Sequence, residues 1–403
     1  MLRNRLILAA VIVGTGVFAS FYGGNIPYAL FYLTLFIPIV SLLYTVYVYL
    51  RVKVYQKIEH TVLVKGESSA YTLRVANEDF LSYQNLRILF FTGLSTVEGT
   101  EQSMNYCLLP GESVSMDTQL RCNFRGVYNV GARAIEITDL FNLFKLSYPI
   151  RADSSVTVLP RRVQLARLNI LPLDEDAKNV LFRTHAAGEE LDVEMRKYVP
   201  GDSRRLIHWK ATARRGELMS RQYTESMKQG VLLCLDLRPT GLRDWMERGG
   251  TEDKLIESTI SMADYCLSHH MPCDVYFCEK KEIEKVSART PQDFDMFYAL
   301  CGRMTFTAEN GAGALIDCTL EREDGVYHYI VVTHALDGAL YSAAVRAMSR
   351  GNEVTVVFIS DALAQEERQI FTYLNEASVQ VVQIQRDRDF VDVFEQNVSG
   401  GVI

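Results

Sequence analysis

Between residues 6 and 50 this chain has no charged side chain, and cations flank the stretch on both sides: Arg3 and Arg5 before it, Arg51, Lys53 and Lys57 after it. Two apolar runs, 6–22 and 27–50, are parted by Gly23-Gly24-Asn25. A helix that crosses a bilayer needs about 20 apolar residues, with about 17 as the short limit. The pair therefore predicts a transmembrane helical hairpin within residues 1–53, and the glycines permit its tight reversal. Tyr28, Tyr32, Tyr44, Tyr47 and Tyr49 supply aromatic groups for the headgroup levels. Cations at both ends and none in the turn predict that both termini and everything after residue 53 face the cytoplasm of a cell membrane. The competing reading is a cleaved leader, with Val17-Phe18-Ala19 as its small-residue site; the second run would then anchor an outward-facing chain.

The remainder is ordinary for a globular protein. Of 403 residues, 48% are hydrophobic and 23% charged, which excludes a largely disordered chain. The length suggests two or three units with separate cores. The net charge of −7 argues against a protein that coats DNA, so any nucleic-acid role needs a local basic patch. The eight cysteines form no C-x-x-C pair, and several lie in apolar runs such as Val231–Leu235, so buried reduced thiols are expected.

Residues 54–159 change to short β-rich stretches: Tyr71–Val75, Leu86–Phe91, Ser113–Leu120 and Ser155–Leu159, separated by turn signals such as Pro110-Gly111-Glu112. This pattern predicts an antiparallel β-sandwich. Arg125–Gly131 and Asp139-Leu-Phe-Asn-Leu-Phe144 lie inside it, where glycines suit turns and aromatics suit the core. Residues 160–229 read as a linker or irregular wrap followed by the densest signal in the chain.

From Arg196 to Arg221 there are eight Lys or Arg and two acids, a local excess of six positive charges. Pro200-Gly201 signals a turn, Asp202 or Ser203 can cap a helix, and Ser203 to Arg214 has no breaker before Gly216. Arg204, His208, Thr212 and Arg215 then share a helix face able to bind an anion through guanidinium forks and the helix start. Arg196, Arg205, Trp209 and Arg214 complete this anion-binding or interface set. The same arginines can equally clamp domains by pairing with acids such as Glu189, Glu190 and Asp192. His208 with Asp202 is the candidate acid–base pair, against a histidine that is merely hydrogen-bonded. Trp209 suits base stacking or a core position.

The run Arg196-Lys-Tyr-Val-Pro-Gly-Asp-Ser-Arg-Arg-Leu-Ile-His-Trp-Lys-Ala-Thr-Ala-Arg214 resembles the signature of the domain of unknown function 58 family (DUF58). Gly188-Glu189-Glu190, Arg125-Gly-Val-Tyr128, Gly131 and Asp139–Phe144 resemble further features of that family. The resemblance implies a bacterial membrane-anchored protein that ends in a von Willebrand factor A-like domain. It also implies a protein partner, such as a MoxR-type AAA+ ATPase, a transglutaminase-like membrane protein or another envelope-biogenesis partner. It implies no biochemical activity.

Residues 230–403 alternate strand and helix patterns: strands at Val231–Asp236, Asp274–Phe277, Tyr329–Thr333, Val354–Ile359 and Val379–Ile384, with helices at Asp253–His269, Leu340–Arg350 and Ala362–Glu376. A doubly wound sheet is expected, with its crevice at the carboxyl ends of the strands beside Asp236 and Thr333. No glycine-rich phosphate motif follows the first strand, so dinucleotide and P-loop chemistry lack support. Von Willebrand A domains hold a divalent cation on a D-x-S-x-S run after that strand. The matching residues here are Asp236-Leu-Arg-Pro-Thr240. Asp236 and Thr240 keep oxygen ligands, but Arg238 puts a cation in the motif and Thr333-His334 stands where an acid could complete the shell. The site reads as degenerate, and no cofactor is expected.

The sequence thus favours a membrane-tethered, non-enzymatic interaction or scaffold protein that binds the lipid bilayer and a protein partner. A hydrolase of a phosphorylated or carboxylated substrate, using the basic region, is the alternative, and nucleic-acid binding is the third reading.

Overall fold

The computed structural model describes residues 1–99, 103–150, 154–170, 194–197, 212, 216–222 and 230–395. The chain divides into two compact units, Met1–Arg161 and Arg162–Ile403.

The first unit opens with α1 (Leu2–Tyr22) and α2 (Asn25–Arg51), 21 and 27 residues long. Gly23 and Gly24, at φ 61° and 84°, make the reversal, a backbone region that side chains with a Cβ resist. Thr15 Oγ1 and Thr34 Oγ1, 3.0 Å apart, tie the helices together midway. Of their most apolar stretches only 6% and 11% is buried. Both helices are thus long and apolar enough to cross a bilayer, and most of that apolar surface is uncovered. The last turns of α2 differ: Ser41, Thr45 and Val48, spaced four and three apart on one face, are buried. That stripe packs on strands of the same unit. The end of α2 is therefore part of the folded first unit.

Eleven strands follow among the described residues: β1 (Lys53–Ile58), β2 (Val62–Val64), β3 (Ser68–Ala76), β4 (Tyr83–Phe90), β5 (Ser95–Val97), β6 (Ser103–Leu108), β7 (Ser113–Cys122), β8 (Gly126–Asn129), β9 (Ala132–Thr138), β10 (Lys145–Pro149) and β11 (Ser155–Leu159). They form sheets of order β1-β3-β7-β5, β10-β9-β4-β6 and β2-β11-β8. The two four-stranded sheets are antiparallel throughout. Alternate residues such as Tyr71, Leu73 and Val75 on β3, and Ile135 and Ile137 on β9, point into one common core. Gly131 is indispensable to it. At φ 81°, a Cβ there would come within 2.7 Å of the Tyr71 ring, whose hydroxyl receives the Ala132 N–H at 3.0 Å.

The second unit begins earlier than residue 230. Leu165, Leu168 and Ile170 are buried in its core, Arg162 pairs with Asp264 at 2.6 Å, and Asn169 donates to the Glu395 carbonyl at 2.7 Å. Residues 162–170 are thus the irregular wrap rather than a loose linker. A two-stranded antiparallel ribbon, β12 (Glu194–Lys197) with β13 (Met219–Gln222), brackets the basic segment. Then come β14 (Val231–Leu235), α3 (Trp245–Ser268), β15 (Cys273–Glu279), β16 (Glu282–Ser287), α4 (Pro291–Cys301), α5 (Ala312–Arg322), β17 (His328–Thr333), α6 (Gly338–Ser349), β18 (Glu353–Ile359), α7 (Gln365–Glu376), β19 (Gln380–Ile384) and α8 (Phe390–Glu395).

The sheet order is β16-β15-β14-β17-β18-β19, parallel except for the edge strand β16. β14 and β17 are buried at every position, which requires cover on both faces. Helices α3 and α4 pack on each other, as do α5 and α6, and α6 with α7. Sequence periodicity misses β16, α4, α5 and α8, and places the start of α3 eight residues late. Asp244 caps α3 by accepting the Met246 N–H, and Gly249-Gly250 with the polar run Thr251–Lys254 interrupts the helix period there. Six of the eight cysteines are buried, and none forms a disulfide.

Candidate functional site

The strand order reverses between β14 and β17, the neighbours from which the sheet grows in opposite directions. A crevice opens at such a point beyond the carboxyl ends of the strands. Asp236 lies there, one residue past β14, with its N–H on the Val332 carbonyl at 2.9 Å and no exposed surface.

A buried carboxylate costs several kcal/mol unless it is paired and hydrogen-bonded. Asp236 is both. Arg238 Nε lies 3.1 Å from each of its oxygens, Arg238 Nη2 lies 2.7 Å from Oδ2, and the Arg238 backbone N–H donates to Oδ1 at 3.1 Å. The Thr333 hydroxyl, at the end of β17, donates to Oδ2 at 2.7 Å and accepts the Ala335 N–H at 3.1 Å.

Arg238 also reaches across the crevice. Its Nη1 donates to Asp337 Oδ2 at 2.6 Å, while Asp337 Oδ1 caps α6 by accepting the Leu340 N–H at 2.8 Å. One guanidinium thus bonds the end of β14 to the start of α6. Burial works to lower the pKa of this group, but the Asp236 and Asp337 carboxylates outweigh it and hold the guanidinium protonated. Gly311, which precedes α5, closes the arrangement. A Cβ at that position would stand 2.5 Å from Arg238 Cζ. Gly313 similarly lets the first turn of α5 approach Ala339 of α6.

Of the residues expected to hold a cation, Asp236 is therefore engaged by Arg238 and Thr333, and the Thr240 hydroxyl is buried with no hydrogen-bond partner. This donor set does not fit Mg²⁺. The cation wants several free oxygens in octahedral array, and here a fixed positive group already sits on both oxygens of the one buried carboxylate. His334 is half-buried beside the crevice. Burial lowers its pKa, and a hydrogen bond to the Pro239 backbone works the other way. Asp337, Gly311 and Gly313 escape sequence reading, although Asp337-Gly338 ahead of Leu340 carries a helix-cap signature.

The amino ends of the strands carry a different polar cluster. Asp274 takes Arg289 at 2.6 Å and Lys285 at 3.1 Å, and Glu323 accepts from Lys285 and the Tyr276 hydroxyl. Desolvation raises the Asp274 pKa, but Arg289 and Lys285 prevail and hold it below the usual carboxylate range. These are cross-element ties at the edge opposite the crevice.

For the basic segment, the ribbon sets Arg196 opposite Ser220 and Lys197 opposite Met219. Gly216, expected to close the helix over 203–214, has φ 70° and donates its N–H to the Thr212 carbonyl at 2.9 Å. The Thr212 hydroxyl receives the Met219 N–H at 3.0 Å. Asp202, Arg204, Arg205, His208, Trp209, Arg214 and Arg215 lie outside the described residues, as does the Arg196 side chain.

Residues 194–244 match the family described as "Protein of unknown function DUF58". The uncharacterized protein YeaD of Bacillus subtilis (strain 168) is 21% identical over 235 residues, 57% of this chain and 59% of that protein. The match thus spans less than two thirds of that relative's length. Among solved structures, an alpha-2-macroglobulin mutant from Salmonella is 18% identical over 27% of this chain and 7% of its own, with a TM-score of 0.21. A CARDB domain from Pyrococcus furiosus is 15% identical over 27% of this chain and 87% of its own, with a TM-score of 0.17. Likenesses at those TM-scores carry no argument.

Proposed function

We propose that this chain is a membrane-anchored interaction protein of the DUF58 kind that works by binding a partner rather than by converting a substrate. The observation that carries the anchoring is the union of the apolar hairpin with the folded first unit. Asn4 and Arg5, at the start of α1, donate to the backbone carbonyls of Phe141 and Leu143 at 2.9 and 2.7 Å, and Ser41 of α2 donates to the buried Asp139. Both ends of the hairpin are tied to the same β-rich unit. A leader removed after Ala19 would break the bonds of Asn4 and Arg5, so the arrangement favours two retained spans. Cation placement supports reading the β-rich unit as cytoplasmic.

The second unit supports a von Willebrand factor A-like reading through its strand order and antiparallel edge strand. Its crevice differs from a cation-dependent one, because Arg238 supplies internally the positive charge that a metal would bring. The carboxylate best placed for chemistry is therefore committed to holding β14 and α6 together, which favours docking over catalysis. The excess of positive charge from Arg196 to Arg221 is the ground for reading the basic segment as the partner-recognition surface, with Arg196, Arg204, Arg205, His208, Trp209, Arg214 and Arg215 as its interface. The β-rich first unit is read as a sandwich.

The test is co-purification of the full-length protein from cross-linked membranes, beside a variant with Arg204→Glu and Arg215→Glu. A MoxR-type AAA+ ATPase or a transglutaminase-like membrane protein should be enriched with the parent and lost with the variant. No such enrichment would overturn the proposal, and turnover of a phosphorylated substrate abolished by His208→Ala would replace it with the hydrolase.

A further inference from the structure

Residues 139–144 form a tight loop between β9 and β10, and the loop is organised around one buried carboxylate. Asp139 Oδ1 accepts the N–H groups of Leu143 and Phe144 at 2.7 and 2.8 Å, and Oδ2 accepts the Phe141 N–H at 3.2 Å and the Ser41 hydroxyl of α2. Asn142 takes φ 54°, which completes the reversal. Every donor is directed at a fully buried acid, so the turn is held rigid. The consequence is that Leu140 and Phe141 are turned outward, 53% and 52% exposed. Large apolar side chains on a rigid turn mark a contact surface when they adjoin other apolar surface.

Depth identifies that neighbour. Arg5 precedes Gly23 by 18 positions, which at 1.5 Å per residue is about 27 Å of helix, close to the roughly 30 Å of a bilayer's hydrocarbon core. Ser41 follows Gly24 by 17 positions, or about 26 Å. Both residues that bond to the loop thus lie at the same level, where the hairpin meets the headgroups. The Arg5 guanidinium also stands 5.9 Å from the Phe144 ring centre, an amphipathic pairing suited to that level.

We infer that Leu140 and Phe141 insert into the headgroup–acyl boundary of the membrane face nearest the β-rich unit, and so form a third lipid contact beside the two spans. The occupant is lipid because the exposed pair continues the apolar surface of the hairpin at its own boundary, with cationic Arg3 and Arg5 alongside to meet anionic headgroups. Asp139 and Ser41 are positioning residues that set the loop at that depth. This inference rests on the anchoring proposed above.

The test places the photo-cross-linker p-benzoylphenylalanine, one site at a time, at positions 140, 141, 33 and 62 of the full chain in vesicles of phosphatidylethanolamine and phosphatidylglycerol. Leu33 is an exposed residue of α2, and Val62 is an exposed apolar residue of β2. Lipid adducts at 140 and 141 should stand well above those at 62, as insertion of the pair at the boundary would produce. Adducts at 33 with none above the position 62 level at 140 and 141 would overturn the inference while leaving the anchoring intact. Protein adducts in place of lipid at 141 would do the same. No lipid adduct at 33 would remove the anchoring and this inference together.

Discussion

Replacing Arg238 by methionine keeps most of the side-chain volume and removes the charge that balances Asp236. Asp236 has no exposed surface and would retain only the Thr333 hydroxyl and one backbone N–H as donors. Removing one partner of a buried pair costs about 3–5 kcal/mol, because the other charge stays behind without compensation. The Arg238 side chain is 22% exposed, so water reaches part of the pair and the lower end, about 3 kcal/mol, is the expected loss. At about 1.4 kcal/mol per tenfold, the folded-to-unfolded ratio falls about 100-fold. For a unit of this size the melting temperature should drop by about 6–12 °C. Both tryptophans of the chain, Trp209 and Trp245, belong to the second unit, so intrinsic fluorescence during urea or thermal unfolding of the full chain reports on that unit. Adding Asp236→Asn to Arg238→Met removes the stranded charge and should recover part of the loss. A single variant within about 0.5 kcal/mol of the parent, the range of an ordinary surface substitution, would refute the reasoning. So would a double variant less stable than the single one.

Arg238→Ser frees Asp236 and Asp337 from their internal cation, so millimolar Mg²⁺ should raise the melting temperature of this variant and leave the parent unchanged; equal responses would refute the role given to Arg238. Gly131→Ala forces a side chain into a φ of 81° and against the Tyr71 ring, which should destabilise the first unit by roughly 2–4 kcal/mol, read as faster amide exchange in β3 and β9. Burial depresses the His334 pKa in the fold, so the unfolded chain binds the proton more tightly. Its contribution to stability is therefore full above the unfolded value near 6.5 and is lost as pH falls through the lower folded value. Urea midpoints of the second unit should decline below about pH 6.5 in the parent and decline less in His334→Phe.

Much of the architecture is legible locally. The absence of charge from 6 to 50 dictates the hairpin, and short β-rich stretches between turn signals locate β3, β4, β7 and β11. Continuous apolar runs locate β14, β17 and β18, because a strand buried on both faces has no polar side to interrupt it. Edge strand β16 escapes because its sequence, Glu-Ile-Glu-Lys-Val-Ser, is mostly polar, as an edge facing water must be. Helices α4 and α5, 11 residues each, escape as well, although α6 and α7 are only one residue longer.

The crevice divides in the same way. Asp236, Arg238 and Thr240 stand within five residues of one another, and their charges alone indicate a site poor in free oxygen ligands. What Arg238 does with its charge depends on Asp337, which is 99 residues away in the chain and is brought to hydrogen-bonding distance only by the crossover that sets β17 beside β14. Leu140 and Phe141 follow the same logic: their apolar character is plain in the sequence, but their depth relative to the hairpin comes from bonds between Arg5 and Leu143 and between Ser41 and Asp139. Periodicity and charge are properties of neighbouring residues, so the chain carries them openly. Pairings between distant residues exist only after strand order and helix register are set, and those are outcomes of the whole packed core.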